Sequence, residues 1–109
     1  MMEEKQIDLG VVARMRPIID GVLKLYGFSR ETLLEGTTRG PIEARSSCCW
    51  LARQLELPIT FDEIAASLSW VERRRGRTMV QQGLARIRER RPKDKWLREG
   101  LDALLTELR

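Results

Sequence analysis

The side chains here that could do chemistry are cations and neutral hydrogen-bonding groups, and they gather in one stretch. Arg77, Thr78, Gln81, Gln82 and Arg86 occupy the outer side of a helix expected from about Arg77, with Val80, Leu84 and Ile87 on its inner side. Such groups suit nucleic acid. Gln pairs bidentately with adenine, Thr bonds either base edge, and Arg takes guanine O6 and N7 or a phosphate. Eleven of the twenty basic residues fall between Arg73 and Arg98, opposed only by Glu89 and Asp94, so the stretch carries +9. Residues 1–72 carry −3 and residues 99–109 carry −2, so the overall +4 hides a strong asymmetry. Clustered Lys and Arg displace counterions from a phosphate backbone, which makes this the electrostatic footprint of a nucleic-acid binder.

Catalysis is not expected. The chain has no His, no G-x-x-x-x-G-K-[ST] phosphate loop and only two Cys, adjacent at 48 and 49. Neighbours in a helix point about 100° apart, so Cys48 and Cys49 are poorly placed to bridge each other. At least one of them reads instead as a small buried apolar residue. Asp62–Glu63 and Glu3–Glu4 read as a helix N-terminus and a solvated tail. No metal or other cofactor is expected. No apolar run approaches the ~20 residues of a membrane span, and MMEEKQID is too acidic for a signal peptide, so a cytoplasmic, nucleoid-associated protein with no membrane partner is expected.

The punctuation between these residues is regular, and the periodicity is helical. Pro17 suits a helical first turn, followed by Ile19, Val22, Leu23 and Tyr26, and residues 1–16 read as an N-terminal extension that Pro17 would separate from the rest. Ser29 can cap a short helix from Arg30 to Glu35. A loop, Gly36 to Pro41, leads to a long helix from Pro41 to about Glu56, with Cys48, Leu51, Ala52 and Leu55 inward and Arg45 and Arg53 off that stripe. Thr60 and Glu63 have capping-box spacing, and Phe61, Ile64, Ala65 and Leu68 follow on one face. Val71–Gly76 reads as a turn. After Pro92, Asp94 can start a last helix burying Leu97, Leu101, Leu104, Leu105 and Leu108. Trp50 is expected in the core, Trp70 against the reader helix or its turn, and Trp96 half exposed. The class is all-α: a compact multi-helix bundle in which a supporting helix and a reader helix form a helix-turn-helix.

The order of these pieces resembles the C-terminal DNA-binding domain of the chromosomal replication initiator DnaA, of the Trp-repressor-like superfamily. Ala44-Arg-Ser-Ser-Cys-Cys-Trp-Leu-Ala-Arg-Gln-Leu55 is similar to that family's A-R-Q-x-A-M-Y-L-A-R-E-L helix. Thr60-Phe-Asp-Glu-Ile-Ala65 resembles its S-L-x-E-I-G, and Arg77-Thr-Met-Val80 sits at its D-H-[ST]-T-V signature. The likeness covers about residues 17–108 and does not include the initiator's ATP-binding part. It implies contacts to duplex DNA from Arg39, Arg45, Arg73, Arg74, Arg75, Arg77, Thr78, Gln81, Gln82 and Arg86. Gly76 and Arg77 stand where the family has Asp and His, which implies little preference for the DnaA box. Glu43 stands where the family often carries a basic residue, with Arg39 as a partial replacement. The connection before the signature is also longer than the family's by roughly four residues. A transcriptional regulator or replication-linked factor binding double-stranded DNA is therefore expected. The competing reading is a helical module that meets a protein partner or RNA through the basic surface and an exposed Trp.

Overall fold

The computed structural model describes residues 9–68 and 73–109, with the side chains of 9–12 and 73–75 left aside. Six helices make up the described residues: α1 (Leu9–Tyr26), α2 (Arg30–Glu35), α3 (Arg39–Gln54), α4 (Phe61–Ser67), α5 (Arg73–Arg90) and α6 (Lys95–Leu108). Among these residues there is no strand, and no helix is long and apolar enough to cross a membrane.

The local signals act as expected. The Ser29 side chain accepts from the Thr32 N–H and opens α2. Thr60 and Glu63 form the reciprocal box that opens α4, at 2.8 and 3.1 Å. Asp94 caps α6 by accepting from the Leu97 N–H at 3.0 Å. Each such bond satisfies a backbone donor that the first helical turn leaves unpaired.

Three helices differ from what the sequence pattern implies, α3 only by starting at Arg39, two residues ahead of Pro41. Pro17 lies inside α1, which runs unbroken from Leu9. The carbonyl that Pro17 leaves without a donor belongs to Ala13; both residues are exposed, so water can serve it. On the opposite face Met15, Ile18, Ile19 and Val22 are buried, and that burial carries the helix through the proline. The helix expected from about Arg77 starts at Arg73, one turn earlier. Gly76 is buried in register with Val80, Gly83, Leu84 and Ile87, so the packing face already exists upstream of Arg77. Arginine propagates a helix well, and residues 73–75 form part of a helical turn ahead of Gly76. Residues 69–72, and with them Trp70 and part of the expected turn, lie outside the described residues, as do residues 1–8.

α3 is the central helix. Every residue from Glu43 to Ala52 is buried, polar ones included. The run Ala44-Arg-Ser-Ser-Cys-Cys49 is small-residue-rich, which lets neighbours approach from several sides; α1, α2, α5 and α6 all pack on it. Cys48 and Cys49 are both buried free thiols. Ile64, Ala65 and Leu68 of the α4 region, and Leu97, Leu101 and Leu104 of α6, complete the core. Trp50 joins it, while Ala66 lies on the surface.

Candidate nucleic-acid interface

α5 has one face against α3 and α4 and one face in solvent. Arg77, Thr78, Gln81, Gln82, Ala85, Arg88 and Glu89 are exposed, opposite buried Gly76, Val80, Gly83, Leu84 and Ile87. This is the 3.6-residue period seen from both sides. Gly83 sets how closely α5 lies on α3. A Cβ placed there would meet Ser46 Oγ at 3.2 Å and Ser46 Cα at 3.3 Å. The Ser46 hydroxyl donates to the Ile42 carbonyl at 3.0 Å and accepts from Arg86 at 2.8 Å. Arg86 is thus half-buried and fastens α5 to α3, rather than lying free on the outer face.

Arg90 and Arg91 are still more engaged. Arg90 pairs with Glu43 at 3.1 Å and with Asp94 at 3.6 Å. The same Glu43 accepts from the Tyr26 hydroxyl at 3.0 Å, and that hydroxyl also shares a 3.0 Å hydrogen bond with Ser47. Burial, above all, pushes the Tyr26 hydroxyl well above its ordinary pKa of 10.0. Arg91 pairs with Asp102 and lies 5.1 Å from the centroid of the Trp50 ring. Glu43 is therefore a partner for α5.

Arg45 departs from its expected place. It is only 6% exposed, and its Nη1 donates to the Leu33 carbonyl at 2.6 Å. Burial lowers its pKa from the usual arginine value. A phosphate contact needs a guanidinium at the surface, and this one ties α3 to α2. The apolar stripe of α3 made Arg45 look outward, but a helix packed from several sides has little outward face.

Arg39 remains exposed at the start of α3. Arg77 is exposed and pairs with Asp62 of α4 at 3.1 Å, both side chains being about half in solvent or more. Thr78, Gln81 and Gln82 are exposed as expected, and Arg73, Arg74 and Arg75 occupy the first turn of α5. Arg88 was not singled out from sequence. It lies seven residues after Gln81 on the same exposed side, a spacing that marks it as a further candidate.

No protein-family model, curated protein or solved structure matches the chain. What the site can do is therefore argued from its own groups. Among the described residues no cluster of His, Cys, Asp or Glu is arranged to hold a metal ion. The exposed face of α5 offers donors and acceptors at helical spacing, with cations at its beginning and end. That is chemistry for binding a polyanion and for hydrogen-bonding to planar edges.

Proposed function

We propose that this chain binds duplex DNA, with α4 and α5 as a helix-turn-helix and the outer face of α5 in the major groove. The observation that carries the reading is the solvent-exposed set Arg77, Thr78, Gln81 and Gln82 on a helix whose opposite side is buried against α3 and α4. Thr78, Gln81 and Gln82 contact base edges; Arg39, Arg88 and the arginines opening α5 take phosphates. Arg77 exchanges Asp62 for DNA on docking, which is cheap because an exposed ion pair is worth only about 0–1 kcal/mol. The resemblance to the replication initiator's DNA-binding domain supports a role in transcriptional regulation or linked to replication.

The signature departures set the specificity. Gly76 is buried and presents no side chain, and Arg77 favours guanine or a phosphate over the edges read by Asp and His. Binding is accordingly driven by the backbone and by sites other than the DnaA box. The test is competition binding at physiological salt between a DnaA-box duplex and an unrelated duplex of equal length. Near-equal affinity is expected, and log affinity against log salt should fall with a slope of about −3 to −4 for roughly four phosphates. A flat salt response, or no binding at low salt, would remove the duplex reading. A preference for the box above about a hundredfold, some 2.7 kcal/mol, would overturn the specificity argument.

A further inference from the structure

A cleft of about 620 Å³ opens where the start of α3, the end of α5 and the start of α6 meet. Arg39, Lys93, Lys95 and Trp96 line it, with Glu89 also on its wall. Its two other charged residues, Arg90 and Asp94, pair with each other. Arg39, Lys93 and Lys95 are exposed and have no ion pair among the described residues, so the cleft offers free positive charge. Trp96 is the one exposed large apolar side chain among the described residues, at 51%. Its ring meets Tyr26 edge to face, with centroids 5.2 Å apart and planes at 82°. Tyr26 is itself held by Glu43, Ser47 and a stacked Phe28. The indole is therefore packed against Tyr26 on one side, with about half of its surface open to solvent.

We infer that this cleft binds an unpaired nucleotide of a single-stranded nucleic acid, the base stacking on Trp96 and the flanking phosphates meeting Arg39, Lys93 and Lys95. A planar aromatic surface beside mobile cations is the pairing that single-strand sites use, because every base has a π-face and every nucleotide a phosphate. An acidic peptide would satisfy the cations and leave the indole in water. A duplex keeps its bases stacked on one another and cannot offer a face to Trp96. The cleft is thus a second binding surface; it shares Arg39 with the duplex reading, while Lys93, Lys95 and Trp96 belong to it alone.

The experiment measures binding of a fluorescein-labelled oligothymidylate and, separately, of a labelled duplex at low salt. The full chain should bind the oligothymidylate. Trp96→Ala should weaken that binding about tenfold, Trp96→Phe should recover most of it, and duplex affinity should stay within about twofold for both. Thermal melting of each variant checks that Tyr26 keeps its packing. Oligothymidylate binding that is absent, or that survives Trp96→Ala in a folded protein, would overturn the inference. So would equal competition by thymidine monophosphate at matched nucleotide concentration, which would make the free nucleotide the ligand. Loss of duplex binding alone, with the Trp96 dependence intact, would remove the duplex reading and leave this one standing.

Discussion

The two halves of α5 are both rich in arginine, yet they spend it differently. In the second half Arg86 and Arg90 reach Ser46 and Glu43, and Arg91 just past its end reaches Asp102, three contacts that fasten the helix to α3 and α6. In the first half Arg77, Thr78, Gln81 and Gln82 face solvent, and Arg77 holds only an exposed carboxylate. The +9 of the segment is therefore not a uniform field. Part of it is neutralised inside the fold, and what remains for a polyanion lies along the beginning and outer side of α5. Charge counted along a chain overstates the charge available to a partner whenever the helix also uses its cations to pack.

The largest expected effect that would sharpen this contrast comes from Glu43→Ala. Glu43 is 9% exposed and serves both Arg90 and Tyr26. Removing it leaves a half-buried guanidinium without its closer partner, at a cost of about 2 kcal/mol, less than a fully buried pair because Arg90 still reaches water. Thermal or urea unfolding reads that loss, while duplex affinity of the folded protein should be unchanged or slightly tighter. Stability unchanged with binding lost would invert the roles given to the two halves.

A smaller effect comes from alkali. Burial pushes the Cys49 thiol from 9.0 to about 12 and raises Cys48 well above 9.0. The unfolded chain ionises these thiols from about pH 9 while the folded one holds them neutral. The unfolded state thus binds fewer protons, and stability falls as pH rises from about 9 toward 12. By pH 10 Cys49 alone accounts for a loss of about 1 kcal/mol. Thr78, Gln81 and Gln82 do not titrate there, so duplex binding should fade in step with unfolding. Binding lost while the protein is still folded would place a titrating group in the interface.

The smallest effect isolates one contact. Asp62→Asn removes the carboxylate that Arg77 must leave on docking. Duplex affinity should rise about two- to fivefold, with stability changed by less than about 1 kcal/mol. Weaker binding would mean that Asp62 orients Arg77 for DNA rather than competing for it.

Much of the fold was legible because its signals are local. Ser29, the Thr60–Glu63 pair and Asp94 each act within three residues, and the inner stripe of α5 follows a period that any window reveals. The failures share one cause. Pro17 sits inside a helix, α5 begins at Arg73 and Arg45 turns inward because of burial against elements distant in sequence. The same holds for the site. Thr78, Gln81 and Gln82 could be placed from their spacing to Val80, Leu84 and Ile87. That Glu43 would neutralise Arg90, or that Arg86 would settle on Ser46, depends on how closely α3 and α5 approach at Gly83, and no local pattern encodes that distance.

The central claim is that the outer face of α5 meets DNA, and the paired substitution Gln81→Glu with Ala85→Glu tests it most directly. Both positions are exposed on one stripe, so surface changes there should move stability by less than about 0.5 kcal/mol each. Two carboxylates facing the phosphates and base edges of a groove should instead weaken duplex binding by at least about a hundredfold, because like charges opposed across an interface cost several kcal/mol. Fluorescence anisotropy with a labelled duplex at low salt, on protein shown to melt like the parent, gives the answer. A loss of that size is the predicted result; affinity unchanged in a folded double variant would contradict the account.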